Sequence, residues 1–333
     1  METESNAINW LTAVVLLIVI LPSLGCSKNP AASELAELNR ELFQAVERHD
    51  VASARRSLKK GANIESTTYN DMTPLGIAAS DDDLPMVQLL LQKGARAHTK
   101  DHSLETPLMH AAYSGHTEIV RLLLKQNPDL AEKNEALLEV AHGEPAIVIV
   151  ENPAGASSAD QTVSRRQTIS GLEKPWVETV KLLLDSGADI EARDEYRGPP
   201  LIDAAGYAQT DVVLLLLDRG ANLHARDKYG HTALIAASCE CAVATMNDAY
   251  DVVRVLLDKG SDVNAHSNDG TTALMNAAGG FGGSAIVKLL LEHRADPRAR
   301  DSEGNTALKF ASERNRKDKA ELIRQALDNS RKR

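Results

Sequence analysis

The stretch "TPLMHAAYSGHTEIVRLLLKQNPDL", Thr106 to Leu130, carries two short apolar-periodic runs separated by Ser114-Gly115-His116. Each run is long enough for two or three helical turns. Neither could bury its apolar side alone, because an isolated helix of this length is marginal in water. Something must cover it, and the chain itself supplies the cover.

The stretch recurs. "TPLGIAASDDDLPMVQLLLQKGARA" begins at Thr73, "PPLIDAAGYAQTDVVLLLLDRGANL" at Pro199, "TALIAAS" at Thr232, "TALMNAAGG" at Thr272 and "TALKFAS" at Thr306. Thr73 to Thr106 and Pro199 to Thr232 are each 33 residues apart, and Thr272 to Thr306 is 34. A fixed period in this range is the mark of a stacked repeat. Within each unit, Thr or Pro opens the first helix, where a hydroxyl caps exposed N–H groups and proline needs no N–H. An Ala-Ala pair gives a thin face for close helix approach. Gly94, Gly187, Gly220 and Gly260 follow the second helix, where a left-handed cap favours glycine. The units therefore cover one another.

These residues resemble the ankyrin repeat family, whose pattern is D-x-x-G-x-T-P-L-H-x-A-A-x-x-G-H-x-x-V-V-x-L-L-L-x-x-G-A-D-x-N-A. The unit from Asp101 keeps Thr106-Pro107-Leu108, Ala111-Ala112, Gly115-His116 and Val120 to Leu124. The resemblance covers roughly residues 36 to 328. It implies an all-α solenoid of about seven to eight helix-turn-helix units with projecting β-turn fingers. It also implies a non-catalytic protein-interaction module whose concave finger and first-helix face carries the contacts.

Mapped onto this chain, the finger position three before the Thr is Asn70, Ser103, Tyr196, Tyr229, Asp269 and Glu303. The first-helix position four after it is Ile77, His110, Asp203, Ala236, Asn276 and Phe310. Asn70, Ser103, His110, Tyr196, Asp203, Tyr229 and Asn276 are the candidate partner-binding residues. Tyr196 and Tyr229 stand out in a chain with 3% aromatics, since tyrosine combines contact area with a polar tip. A simple packing role is the alternative for both.

The N-terminus has another character. Trp10 to Leu21 is uncharged, too short for a membrane span and right for a secretory h-region. Gly25-Cys26 after it resembles the bacterial lipoprotein signal. That resemblance implies removal of residues 1–25 and a lipid on Cys26. Residues 26–33 then form a tether, and the protein faces the periplasm or exterior of the cell envelope through its membrane anchor. Cleaved secretion without lipid and an uncleaved anchor remain open.

The repeat domain runs from 34 to 329, with a polar, degenerate unit at Glu34–Ser66 as its first cap and a basic tail at 330–333. Two insertions, near 143–175 and 239–250, fall between the first and second helices of their units. In the unit from Glu135, Leu137 and Ala141 align with the pattern before the first insertion. Its β-branched runs are open to a hairpin or a loop reading, and a long connection of this kind is often functional.

The net charge of −10 argues against a nucleic-acid partner. Cys239-Glu240-Cys241 has no second Cys/His pair at ligand spacing, and Asp81-Asp82-Asp83 lacks the alternation of a calcium loop. No catalytic motif appears, so neither enzyme activity nor a cofactor is expected. Whether Cys239 and Cys241 pair stays open. A second functional reading is an accessory or regulatory subunit of an envelope enzyme, with the 143–175 insertion contributing to the site.

Overall fold

The computed structural model describes residues 30–142, 175–195, 197–239, 246–280 and 284–331. The sixteen described helices form eight antiparallel pairs, with no strand among the described residues. The inner helices are α1 (Pro30–Glu47), α3 (Pro74–Ser80), α5 (Pro107–Tyr113), α7 (Leu130–His142), α9 (Pro200–Gly206), α11 (Ala233–Ser238), α13 (Ala273–Gly279) and α15 (Ala307–Glu313). Their outer partners are α2 (Val51–Lys60), α4 (Leu84–Gln92), α6 (Thr117–Leu124), α8 (Pro175–Asp185), α10 (Thr210–Asp218), α12 (Met246–Asp258), α14 (Ala285–Glu292) and α16 (Lys317–Arg331). Each inner helix packs on the next inner helix, and each outer helix on the next outer one, from end to end.

The repeat chemistry explains the regularity. Thr73, Thr106, Thr232, Thr272 and Thr306 each take an extended backbone and accept the third N–H of the inner helix that follows. Pro199 replaces the threonine before α9, which therefore starts without a side-chain cap. Gly94, Gly187, Gly220 and Gly260 close the outer helices at φ between +87° and +96°, where a Cβ would be strained. The alanine pairs Ala78-Ala79, Ala111-Ala112, Ala204-Ala205 and Ala277-Ala278 are fully buried, so neighbouring inner helices meet through methyl groups.

The larger apolar residues lie between inner and outer rows. Leu90, Val120, Leu183, Val213, Val253 and Leu290 are sealed from solvent, each contributing about 1.5–3 kcal/mol. Exposed ion pairs such as Lys288–Glu292 contribute about 0–1 kcal/mol each. Apolar burial between neighbouring units thus holds the stack together.

A second ladder ties unit to unit. The side chains of Asn39, Glu65, Asn134, Glu191 and Asn264 accept the backbone N–H of Asn63, Arg96, Asp189, Asn222 and Asp296, at 2.7–2.8 Å. In the C-terminal unit, Lys319 is fully buried. Its Nζ donates to the Ala277 carbonyl at 2.8 Å and to Gly280 at 3.2 Å.

Several sequence boundaries move. α1 begins at Pro30, so residues 30–33, read as tether, are its first turn; proline suits that position. α16 reaches Arg331, so Ser330 and Arg331, read as tail, continue a helix. α12 begins at Met246, inside the span read as an insertion at 239–250, and is longer than every other described outer helix except α16. The 143–174 segment joins α7 to α8 and lies outside the described residues, as do residues 1–29 with Cys26, and Cys241.

The largest departure is in the fourth unit. Residues 93–106 connect α4 to α5 through a full finger, whereas 125–129 alone connect α6 to α7. Asp129 caps the resulting longer helix by accepting the Glu132 N–H at 2.8 Å. The fourth unit has no finger; a helical extension takes its place. Leu137 and Ala141 lie in its core as the alignment requires.

Candidate interaction face

The fingers are built on aspartates. Asp101, Asp227 and Asp301 each accept two backbone N–H groups of their own turn: from Ser103 and Glu105, Tyr229 and His231, and Glu303 and Asn305. In the finger between them, Asp269 is held below the usual carboxylate range by the Ser267 hydroxyl and the Thr271 N–H. Finger tips also hold one another: His102 N–H donates to Asn70 O at 3.0 Å, Asn268 to Tyr229 O at 2.8 Å and Ser302 to Asp269 O at 2.8 Å. The finger positions thus form a row whose backbones are fixed while side chains remain available.

Asn70, Ser103 and Tyr229 are exposed on these tips. Tyr229 is 57% exposed, with Lys228 Nζ 5.2 Å from its ring centroid. Asn276 is half-buried, and its amide donates to Ile235 O on the preceding inner helix at 3.2 Å. Tyr196 lies outside the described residues. His116 has a structural role, its Nε2 donating to the carbonyl of Ser80 that ends α3, 2.9 Å away.

His110 sits between two carboxylates. Its Nε2 is 2.9 Å from Asp101 Oδ2, and its Nδ1 is 3.4 Å from Glu105 Oε2. The ligand atoms of these three residues lie within 4.8 Å of one another. The two carboxylates nevertheless address opposite ring nitrogens, so they orient the imidazole rather than converge with it on one ion.

Around the missing finger, charge accumulates on successive units. Glu139 on α7 occupies the same inner-helix position as His110 on α5 and Asp203 on α9, four residues after the start of the pattern. Arg197, at the base of the fifth finger, reaches back to Glu139: Nη2 lies 2.8 Å from Oε1. Its Nε is 3.5 Å from Asp194. Burial works against the guanidinium charge, but Glu139 overcomes it and raises the Arg197 pKa above the ordinary range.

Asp203 is pushed up to about 7, first by burial, against the opposing pull of Arg197 and with the repulsion of Asp194, Asp227 and Glu139 added. Its Oδ2 is closed to solvent and makes no hydrogen bond among the described residues. Glu105 is raised as well, by burial first and by Glu139 and Asp101 against the pull of His110. Five carboxylates from four consecutive units, those of Glu105, Glu139, Asp194, Asp203 and Asp227, therefore share one field with Arg197.

Glu139 and Arg197 were not among the residues picked from sequence. The fourth unit lacks Thr-Pro-Leu, which hides the register that places Glu139 beside Asp203. Leu137 and Ala141 carry that register and point to Glu139. Leu104 was missed too: it is 67% exposed at φ +66°, in the finger position held by Gly230, Gly270 and Gly304.

A cleft of about 310 Å³ lies elsewhere, between α1 and α2 around Glu41, Arg48 and Lys60. Open and lined by charges of both signs, it has no link to the finger row. A family model described as "Ankyrin repeats (3 copies)" matches residues 42–134, 173–265 and 241–332. No curated protein matches the chain.

Proposed function

The chain belongs to the ankyrin repeat family, and from that membership we propose that it binds a protein partner through its fingers and inner helices, without catalysis of its own. The observation that carries this reading is the finger row. Its backbones are tied to one another, while Asn70, Ser103, Leu104 and Tyr229 project into solvent. Large exposed side chains on a rigid support lose little entropy on binding, and tyrosine is enriched among residues that dominate binding energy.

The test is site-specific photo-crosslinking. A crosslinker placed at Ser103 or Tyr229 should trap a discrete partner, and one at Lys288 on the outer row should not. Equal trapping from both rows would remove the assignment of the face.

We propose further that the partner is met at the cell envelope, with the chain held to the membrane by a lipid on Cys26. This rests on the uncharged run Trp10–Leu21 followed by Gly25-Cys26. Intact mass of the protein from its native host decides it. A chain starting at Cys26 with added acyl mass supports the anchor, and a chain that retains Met1 removes it.

A further inference from the structure

Resting on the lipid anchor proposed at Cys26, we infer that the first unit docks on the membrane through a basic face, with the cations around α2 against anionic phospholipid headgroups. The stack then stands on α1 and α2, and its finger row stays free.

Charge picks out the surface. In a chain of net charge −10, residues 48–60 carry five basic side chains, Arg48, Arg55, Arg56, Lys59 and Lys60, against one acid, Asp50. All five are exposed. Four of them lie on α2, which has no acidic residue. A terminal unit needs a polar outer surface for solubility, but that need does not select one sign of charge. α16, which closes the other end, mixes four bases with three acids. The one-sided charge of α2 exceeds what a solvated cap requires.

The acids beside it already have partners. Asp50 caps α2, accepting the Ser53 N–H at 2.9 Å and the Ser53 hydroxyl. Glu41 meets Lys60 at 3.5 Å, and Glu37 pairs with Arg40. The other acids of the unit, Glu34 and Glu47, lie on α1. Arg48, Arg55, Arg56 and Lys59 form no ion pair among the described residues, and Arg56 donates to the Ser53 hydroxyl at 2.8 Å. Four cations therefore stand available to an outside anion.

Shape and reach name that anion. The cleft of about 310 Å³ between α1 and α2 is lined by Arg48, Arg56 and Lys60 together with Glu41 and Asp50. No residue of the second unit lines it, so it opens away from the rest of the stack. A headgroup phosphate entering it meets cations from both helices. Only three residues separate Cys26 from Pro30, where α1 begins, and four extended Cα steps span about 14 Å. A lipid on Cys26 thus holds the first unit at the headgroups, where each Lys or Arg strengthens binding to an anionic surface. The same surface repels the rest of this acidic chain, which leaves α2 as the part that approaches it. α1 and α2 are antiparallel neighbours, and later units pack side by side from them. With both helices along the surface, those units extend away from the bilayer.

The experiment uses the full chain, purified from its native host in detergent and added to preformed vesicles of phosphatidylcholine, or of phosphatidylcholine with phosphatidylglycerol. Flotation reads attachment. A membrane-impermeant amine-acylating reagent, followed by mass spectrometry, reads the exposure of Lys59 and Lys60, with Lys288 of the outer row as control. On anionic vesicles Lys59 and Lys60 should react at least about fivefold more slowly than on neutral ones and recover with salt, while Lys288 is unchanged. The variant Arg48→Gln/Arg55→Gln/Arg56→Gln keeps both reporter lysines. It should lose the protection while still floating, and a thermal melt establishes that it is folded.

Equal reactivity of Lys59 and Lys60 on the two kinds of vesicle would overturn the inference. So would protection retained by the folded triple variant, or protection produced on neutral vesicles by soluble glycerol phosphate. Flotation with both kinds of vesicle but no protection leaves the anchor standing and removes the docked face. Flotation with anionic vesicles alone, with Lys59 and Lys60 protected, removes the anchor and keeps the face. Flotation with neither removes both.

Discussion

Arg197 Nη2 lies 2.8 Å from Glu139 Oε1, joining the base of the fifth finger to the inner helix of the unit before it. The pair spans the place where the fourth finger is missing. Both side chains are more than two-thirds buried, so water screens the contact poorly. Arg197→Met should destabilise the protein by about 2 kcal/mol, in the range for losing a hydrogen bond between charged groups. The variant leaves Glu139 facing Glu105 and Asp203 without its counter-charge. Glu139→Gln should cost less, because an amide oxygen still accepts and one repulsion disappears. Urea denaturation of the two variants checks the order.

Asp203 makes stability depend on pH in an uncommon direction. Its folded pKa, about 7, lies above the ordinary value of 3.8, so between these limits the folded state holds more proton than the unfolded one. Its contribution is complete below about pH 4, falls as pH rises toward 7, and is flat above that. The steepest loss approaches about 1.4 kcal/mol per pH unit. Asp203→Asn should remove this slope: little changed at pH 4, more stable than wild type at pH 8. Parallel melting curves that keep a constant offset from pH 4 to 8 would contradict it.

Lys319 should prove essential to the last unit. Its buried ammonium satisfies carbonyls at the C-terminal end of α13, where a positive charge also complements the helix dipole. Lys319→Met keeps most of the stem and removes the donor, and about 2 kcal/mol should be lost. Because units couple to neighbours, the damage should be local. Amide hydrogen exchange should accelerate in α13–α16 and stay near wild type in α3–α6.

Leu104 is placed for contact at a conformational cost. A bulky residue at φ +66° is strained by about 1–2 kcal/mol relative to glycine. Leu104→Gly should therefore raise stability by about 0.5–1 kcal/mol, once the added freedom of the unfolded glycine is subtracted. Urea denaturation of the variant beside the wild type checks the gain, and a loss of stability would contradict it.

The sequence by itself determined the architecture. Its period, threonine caps, alanine pairs and closing glycines act within a unit or between neighbours, and local rules of that kind are written in residue order. Leu137 and Ala141 marked the fourth unit through a degenerate motif, and the recurring Thr- or Pro-led motif located α3, α5, α9, α11, α13 and α15. The tertiary structure alone decided which charges meet. Glu139, Arg197 and Asp203 come from helices and fingers whose proximity depends on the fourth finger being replaced by helix, and residues 125–129 do not announce that replacement. The raised Asp203 pKa has the same origin. Burial and the summed field of three units set it, and both quantities exist only once the stack has formed.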